Sequence, residues 1–499
     1  MKTNKFQNHN TVTLIKKLLP YFKYLLLAIL IYLPLFEFLD SLTIQIWDEA
    51  RLAINAYEML NNGNFIVTYF EGEPDMWNTK PPLLIWFQVL FMKILGVNEL
   101  AVRLPSAIAA LFTCITLLVF SLKYFKRFWF GFIVVFILVT SSGYVNIHAS
   151  RTGDYDALLT LFTTLSGLLF FSFCEKKNIK YLYLFFLFTA LAVLTKSVTG
   201  LMFLPAIFIY SIIRKQVVPL LKEKHFYFGL LSFLVIVFGY YLTREAVNPG
   251  YISAVIENEL GGRYLHVLED HDHSFSFYFN NFIDYRLTPW HLLVPCGLLI
   301  GFLIKNKKMN RLTLFSFLMV STFFLVISNS QTKLEWYDVP LYPFLAIIIT
   351  NFIYYIFDLL RNLKPINKSL RINVTPFLFL FLIGIMPYLK ILDKTYNPNR
   401  DKDFYEMSYF LKDAVKGKYN LNNQYLLYDG YNAHKLFYLN ILNDKGTQIS
   451  FKNWENLNPS DIAIASQNHI KQYVEEHYEH DVIHTEENII TYKIYEKKQ

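Results

Sequence analysis

Cysteine is scarce in this sequence of 499 residues, and the few positions it occupies exclude some classes of protein. Only three cysteines occur, and Cys114, Cys174 and Cys296 all fall within or at the ends of apolar runs. They form no CxxC motif and indicate no disulfide framework. The chain also shows no internal repeat, no low-complexity stretch and no small-residue cleavage site after its first apolar run. We therefore interpret that run as an uncleaved membrane anchor rather than as a signal peptide.

Hydrophobic residues are what the sequence has in abundance. They make up 54% of the chain, aromatic residues make up 18%, and the mean hydropathy is +0.30. Many separate runs approach 20 apolar residues, which is enough to cross the roughly 30 Å hydrocarbon core of a bilayer. The net charge of +8 lies in short loops and forms no basic stripe on a soluble domain, so nucleic acid is not an expected partner. We predict a polytopic α-helical membrane protein in contact with membrane lipids.

The distribution of lysine and arginine predicts the orientation of the spans. We predict eleven, at roughly 20–40, 101–122, 128–147, 157–173, 181–195, 198–213, 226–243, 290–304, 312–328, 338–357 and 372–390. The head of the chain and every even-numbered exit carry basic clusters, which accumulate on the cytoplasmic side. The N-terminus is therefore expected in the cytoplasm and the C-terminus outside, as in a multi-pass protein of an inner (plasma) membrane.

One apolar run is too short to be a span. Leu83 to Leu95 would invert every later loop if it crossed, so we predict an amphipathic helix at the outer interface. The transmembrane domain is then 1–390, with long outer loops at 48–98 and 244–289. After Lys390 the composition becomes mixed, and short apolar segments alternate with helical patterns. We predict that 391–499 form a small soluble α/β domain in the periplasm.

The unusual polar residues of the membrane domain all fall on the predicted outer face. Unpaired charge near hydrocarbon is costly, so their convergence there indicates one site built from several loops. Cations outnumber the local carboxylates around Lys80, Arg151, Lys196 and Lys333, which favours an anionic ligand such as a phosphate. The apolar surroundings suit a lipid tail, and an acid such as Asp48 suits glycosyl transfer. A lipid-phosphate sugar donor needs all three features.

Other readings remain open at this point. A transporter or flippase for a lipid-linked or anionic solute is the main alternative, although it should place ionisable residues near mid-span and often contains inverted repeats. A receptor that binds through the outer domain would leave the Asp48 and Lys80 clusters without a role. The loop motif His266-x4-His271-x-His273 could bind a divalent metal, but its spacing is no strong zinc signature. We predict no metal and no cofactor.

The order of several motifs resembles a known family. They are Asp48-Glu49-Ala50-Arg51 with Ala56-x-Glu58-Met59 and Gly63-Asn64-Phe65, Lys80-Pro81-Pro82-Leu83 with Trp86, Leu95-Gly96, Arg103-Leu104-Pro105-Ser106, Asp156, Leu194-Thr195-Lys196, His273, Pro289-Trp290, and Thr332-Lys333-Leu334-x-x-Tyr337-x-x-Pro340. In this order, over about residues 40–350, they resemble the GT-C membrane glycosyltransferases of the ArnT and protein mannosyltransferase type. That family uses polyprenyl-phosphate sugars.

The resemblance implies roles for particular residues. Asp48 matches the catalytic acid after the first span, and Asp156 matches a second acidic position, so both are our candidate catalytic residues. Lys80 and Lys333 are expected near the donor phosphate, and Lys196 matches a lysine at a span end. Thr79 stands where aminoarabinose transferases often have an acid, which counts against that sugar. Our candidate substrate-binding residues are Glu49, Arg51, Lys80, Arg151, Lys196, His273, Lys333 and Tyr337. The implied enzyme is an inverting hexosyl- or pentosyltransferase, and its acceptor is an envelope glycolipid, such as lipid A or lipopolysaccharide, or a protein.

Overall fold

The computed structural model describes residues 21–262, 272–363, 373–396 and 401–498, and most of them are helical. The first helices are α1 (Tyr21–Phe36), α2 (Asp48–Asn62), α3 (Leu83–Leu95), α4 (Glu99–Tyr124), α5 (Phe128–Val139), α6 (Tyr155–Lys176), α7 (Ile179–Lys196), α8 (Leu204–Ile213), α9 (Val217–Lys222), α10 (Lys224–Val247) and α11 (Tyr251–Val255). They are followed by α12 (Phe277–Asn281), α13 (Val294–Leu303), α14 (Lys307–Asn329), α15 (Tyr342–Asn362), α16 (Thr375–Tyr396), α17 (Glu406–Val415), α18 (Ala433–Asp444) and α19 (Asn468–His477).

The prediction of a helical membrane protein is confirmed, while the number of spans stays a prediction. Within the described ranges, seven helices are long and apolar enough to cross a bilayer, or eight if the bent pair Phe277–Arg286 and Trp290–Leu303 counts as one span. Each of the eleven predicted spans coincides with an apolar helix, but α1, α5 and α8 are shorter than this test requires. The 12 residues of α5, for example, extend only about 18 Å.

Five of the basic loops meet at one end of the helix bundle. The Glu175 carboxylate, at the end of α6, lies 2.6 Å from Arg311 Nη2 and 3.7 Å from Arg214 Nη2. The Tyr124 hydroxyl donates to the same carboxylate at 3.0 Å. Lys177 also contacts Gln216, and Arg127 lies 3.4 Å from Asp358. The loops that the charge pattern assigns to the cytoplasm are therefore neighbours in space.

This grouping gives the predicted orientation a direct test. In a background without the natural cysteines, Lys307→Cys should react with a membrane-impermeant thiol reagent only after the cells are permeabilised. Lys416→Cys, in the predicted outer domain, should react in intact cells, and both positions are exposed in the structure. Labelling of position 307 in intact cells would contradict the predicted orientation.

The predicted outer loop 48–98 is folded. It contains α2, a two-stranded antiparallel hairpin of β1 (Tyr69–Phe70) and β2 (Glu73–Pro74), and α3. The helix α3 has the bounds predicted for the interfacial helix, whereas α2 was not assigned from the sequence. Gly63 ends α2 with a φ of 69°, a conformation that glycine adopts without steric cost.

Residues 401–498 contain a five-stranded sheet in the order β4-β3-β5-β7-β6. The strands are β3 (Gln424–Leu426), β4 (Ile449–Phe451), β5 (Ile462–Ala465), β6 (Tyr478–Glu486) and β7 (Ile489–Lys497). β3 pairs in parallel with β4 and β5, and β7 pairs antiparallel with β5 and β6. The short apolar segments seen in the sequence coincide with β3, β5 and β7. The domain boundary at residue 390 stays a prediction, and α16 continues to Tyr396.

The C-terminal region shares a hydrophobic core with the loop that carries Asp48. One cluster of buried side chains joins Ala50 and Ala53 of α2 with Leu411 of α17 and with Phe437 and Tyr438 of α18. Burial of apolar side chains stabilises such contacts by about 25 cal/mol per Å². The region is therefore packed onto the membrane domain rather than joined to it only through the chain.

Candidate active site

A polar cleft forms where several loops and helix ends converge. Its lining comes from the start of α2, the segment before α3, the start of α6, the end of α7 and the turn after α14. Six predicted site residues line it, and they are Asp48, Arg51, Lys80, Asp156, Lys196 and Tyr337. Leu52, Trp77, Asn78, Asp154, Tyr155 and Trp336 complete the lining. The structure thus brings together residues that lie almost 300 positions apart in the chain.

The cations in this region have partners that the sequence did not reveal. Lys196 Nζ lies 2.7 Å from both carboxylate oxygens of Asp156, and both side chains are buried. Lys80 Nζ lies 3.0 Å from Glu259 Oε1. The expectation that cations outnumber carboxylates around Lys80 and Lys196 is therefore wrong. A buried ammonium without a counter-charge would be costly, and the carboxylates remove that cost.

Arg51 is held in place by Asp75, a residue that the sequence analysis missed. The guanidinium donates from Nε and Nη2 to the two carboxylate oxygens at 2.8 and 2.7 Å. The backbone N–H groups of Trp77 and Asn78 donate to the same carboxylate at 3.0 Å. Burial acts to raise the pKa of Asp75, but the bonds from Arg51 and Asn78 outweigh it and hold the pKa below its usual value. The ionised Asp75 therefore fixes both Arg51 and the turn that leads to Lys80.

The structure places Glu49 outside the cleft, which differs from its predicted role in substrate binding. Its side chain is fully buried and accepts two bonds from Arg103, at 2.7 Å from Nε and 2.9 Å from Nη2. The backbone N–H groups of Gln45 and Gly153 donate to it at 2.8 and 2.9 Å. Glu49 thus ties α2 to α4 and to the loop before α6, and so positions its neighbour Asp48.

Three further predicted residues also lie outside the lining of the polar cleft. Arg151 donates to the carbonyl oxygens of Pro34, Glu37 and Phe38 near the end of α1, where the helix dipole favours a cation. Lys333 is buried, and its Nζ donates to the carbonyl of Ser330 at 2.6 Å. Burial lowers the pKa of Lys333, while Asp272 acts in the opposite direction.

His273 is exposed and stacks on Phe277 with ring centroids 4.2 Å apart. The predicted histidine motif cannot be assembled from the described residues, because His266 and His271 lie outside them. Arg263, which belongs to the same loop, also lies outside them.

One group of side chains at the edge of the cleft has the donor set for a divalent cation. Asp48, His148 and Asp154 each offer a ligand atom within 4.8 Å of the others. The side-chain atom Asp154 Oδ1 is buried without a hydrogen-bond partner. Asp154, however, outweighs the effect of burial and raises the pKa of His148 to about 9. A protonated imidazole opposes metal binding. The ion pair between His148 Nδ1 and Asp154 Oδ2, at 3.3 Å, therefore competes with the binding of a metal ion.

An apolar cavity of about 280 Å³ adjoins the charged cleft. Lys80, Lys196 and Tyr337 border both spaces. The walls of the cavity are mainly apolar and include Val198, Thr199, Met202, Val326, Ile327, Ser330, Thr332 and also Glu259. Lys333 follows directly after Thr332. The arrangement offers cations at one end and hydrocarbon at the other, which suits an amphiphilic ligand with an anionic head.

The sequence predicted most of the charged residues that line the cleft, but it did not predict which residues pair with them. Asp75 and Glu259 carry no local signal, because neither lies in a recognisable motif. Arg103 was part of a motif, but nothing in the sequence paired it with Glu49. Trp336 stacks on His148 with ring centroids 3.9 Å apart and closes one side of the cleft. The only feature of the sequence that could have indicated Trp336 as a cleft residue is its position next to the candidate Tyr337.

Comparisons with known proteins find similar sequences. A family model for dolichyl-phosphate-mannose-protein mannosyltransferases matches residues 79–241, which include Lys80, Asp156 and Lys196. An undecaprenyl phosphate-alpha-4-amino-4-deoxy-L-arabinose arabinosyl transferase from Shewanella sediminis is 27% identical over 360 residues, which span 68% of this chain and 62% of that protein. An uncharacterised protein from Aquifex aeolicus is 26% identical over 370 residues, which span 74% of this chain and 70% of that protein.

The fold is similar to that of solved membrane proteins. ArnT from Cupriavidus metallidurans, bound to undecaprenyl phosphate, superposes with a TM-score of 0.68 at 14% identity and covers 95% of this chain and 97% of its own. The matches confirm the resemblance to membrane glycosyltransferases of the GT-C class.

Within that class, the chain is similar to the ArnT and protein mannosyltransferase type. These similarities support a polyprenyl-phosphate-dependent membrane glycosyltransferase.

Proposed function

We propose that the protein transfers a sugar from a polyprenyl-phosphate carrier to an envelope acceptor on the periplasmic face of the inner membrane, with inversion at the sugar carbon. The acceptor is a glycolipid such as lipid A or lipopolysaccharide, or a protein. The observation that carries the proposal is the junction of the charged cleft with the apolar cavity, bordered by Lys80, Lys196 and Tyr337. A lipid-phosphate sugar has the same division between an anionic head and a long hydrocarbon tail.

The donor phosphate is assigned to the cations at this junction. Lys80 now contacts Glu259, so a bound phosphate would replace or share that carboxylate as the partner of the ammonium group. Lysine binds phosphate as a compact point charge with three donors. The polyprenyl chain then extends along the wall formed by Val198, Met202 and Ile327. The sugar is left in the polar cleft, where Asp48 lies.

The chemistry is a single displacement. An acceptor oxygen forms a bond to the sugar carbon, the bond from that carbon to the phosphate oxygen breaks, and polyprenyl phosphate leaves with the electron pair. The acceptor proton passes to Asp48, or it passes to the leaving polyprenyl phosphate while the Asp48 carboxylate supports the positive charge that develops at the sugar carbon. Asp156 is already neutralised by Lys196, so its role is to orient that lysine beside the ring of Tyr337, 4.9 Å away.

The proposed function has a direct assay. Purified protein in detergent should transfer radiolabelled sugar from a polyprenyl-phosphate donor to an extracted envelope fraction. Mass spectrometry of envelope glycolipids and glycoproteins from cells with and without the protein would identify the product. Identical envelopes together with no transfer from any lipid-phosphate sugar would contradict the proposal.

Donor binding should depend on Lys80 and Lys333. Each charge-assisted contact to the phosphate is worth roughly 1.5–3 kcal/mol. Lys80→Ala and Lys333→Ala should each weaken donor binding about tenfold or more. Equilibrium binding of a labelled donor to purified protein measures the effect. Lys93→Ala is a matched control, because Lys93 is exposed on α3 and does not line the cleft. Unchanged affinity in both Lys80→Ala and Lys333→Ala would remove the assignment.

A further inference from the structure

The segment just before Asp48 is buried although it has no regular secondary structure. Thr43, Ile44 and Gln45 are each at most 3% exposed, and residues 39–46 form only turns, a bend and irregular chain. Buried backbone groups need hydrogen-bond partners, and this segment cannot supply them through a helix or a sheet. Side chains from other parts of the chain supply these hydrogen bonds, and they thereby determine the position of Asp48.

One set of these side chains belongs to the membrane domain. Arg103 donates from Nη1 to the carbonyl oxygens of Leu39 and Leu42 at 2.9 Å, and from Nη2 to Thr43 at 2.7 Å. The same guanidinium is paired with Glu49. Arg103 therefore holds the segment against α4 through these hydrogen bonds.

The other set belongs to the C-terminal region. Lys412 of α17 donates from Nζ to the carbonyl oxygens of Asp40 at 2.6 Å and Ser41 at 3.1 Å. The Tyr438 hydroxyl of α18 accepts the N–H of Ile44 at 3.0 Å. A third side chain continues the series, since the Tyr405 hydroxyl accepts the N–H of Ile46 at 3.1 Å.

These side chains are themselves anchored in the membrane domain. Glu99, at the start of α4, accepts a hydrogen bond from the Tyr438 hydroxyl at 2.8 Å and lies 3.1 Å from Lys412 Nζ. All of the groups involved are largely buried. The contact is therefore a specific polar interface and not only an apolar one.

The backbone conformation of Trp47, which precedes Asp48, is constrained by its surroundings. Trp47 has a φ of 68°, in the left-handed region that a large side chain rarely adopts. Such a conformation persists only where the surroundings determine it. Its ring stacks on Tyr431 of the C-terminal region, with centroids 4.5 Å apart. Trp47 before Asp48 and Glu49 after it are thus both held by contacts with residues of other segments.

We propose that the C-terminal region acts as a positioning element for Asp48, with Lys412 and Tyr438 as its positioning residues. The proposal rests on the proposed function, because it gives the contact a consequence for turnover. A displaced segment would move Asp48 away from the acceptor while Lys80 and the apolar cavity keep their places. The rate of the chemical step should fall, and binding of the lipid-phosphate donor should not.

The test compares variants in the full-length protein. Lys412→Met removes the ammonium group and keeps the stem, and Tyr438→Phe removes only a hydroxyl. We expect kcat to fall about tenfold in each, with an unchanged KM for the polyprenyl-phosphate donor, and Lys412→Arg to recover part of the loss. Tyr492→Phe and Lys418→Met are the controls, because their bonds to Glu475, Asp413 and Glu486 stay within the C-terminal region. Both controls should keep the parental kcat.

A double variant separates positioning from general damage. In an Asp48→Asn background, Lys412→Met should cause little further loss, since the carboxylate that it positions is gone. A full tenfold additional loss there, a parental kcat in both single variants, or a raised donor KM with unchanged kcat would each overturn the proposal.

Hydrogen exchange measured by mass spectrometry needs no substrate. The amides of residues 39–47 should exchange faster in Tyr438→Phe than in Tyr492→Phe, and equal rates would overturn the proposal. If the parent chain transfers no sugar, the proposed function fails, and exchange still decides whether the C-terminal region holds the segment.

Discussion

Asp48→Asn should lower the rate of sugar transfer by about 10²-fold or more while the protein still folds. Asparagine keeps the shape of the side chain and removes its charge. Both proposed roles of Asp48, proton acceptor and electrostatic support, need a carboxylate in the cleft beside Lys80 and Lys196. The measurement is single-turnover transfer of a radiolabelled sugar from a polyprenyl-phosphate donor by purified protein.

The control for this experiment is Asp284→Asn, which makes the same chemical change at an exposed carboxylate that does not line the cleft. It should leave transfer at the parental rate. If Asp48 only stabilises the N-terminal turn of α2, Asp48→Asn should instead change stability slightly and leave turnover nearly normal. Parental transfer by Asp48→Asn would therefore show that Asp48 is not catalytic, and the cleft would lose its main support as the active site.

Arg103→Met should lower the apparent free energy of unfolding by about 3–5 kcal/mol, the range observed when one partner of a buried ion pair is removed. The change would leave the fully buried Glu49 without its counter-charge, and it would remove one donor from each of the carbonyl oxygens of Leu39, Leu42 and Thr43. Thermal unfolding in detergent would measure the effect as a lower Tm.

Two further variants make this result specific. Arg127→Met removes an arginine that is 52% exposed and lies 3.4 Å from Asp358, and exposed pairs contribute at most about 1 kcal/mol. Its Tm should stay close to that of the parent. The double variant Glu49→Gln with Arg103→Met should recover part of the lost stability, because neither charge of the pair then remains. A parental Tm in Arg103→Met would contradict the role that the structure gives to this pair.

The helices of the membrane domain were predictable because each is encoded by a continuous stretch of apolar residues. A run of about 20 apolar residues needs the bilayer to bury it, whatever the rest of the chain does. The same holds for α3, whose bounds Leu83–Leu95 follow from one continuous apolar run. The candidate residues could also be placed on one face from the charge of the loops. Asp48, Lys80, Asp156, Lys196 and Tyr337 do share one cleft.

The partners of these residues were decided only by the tertiary structure. Arg103 and Glu49 are 54 residues apart, and Thr79, beside Lys80, contacts Glu259 across 180 residues. Which carboxylate reaches which cation depends on how the helices pack, and no periodicity or composition records that choice. The same is true of Lys412 and Tyr438, whose contacts with residues 40–44 exist only once the C-terminal region has docked. The sequence by itself therefore determined the apolar helices and predicted the kind of chemistry, while packing determined which charges are neutralised and which side chains contact the segment before Asp48.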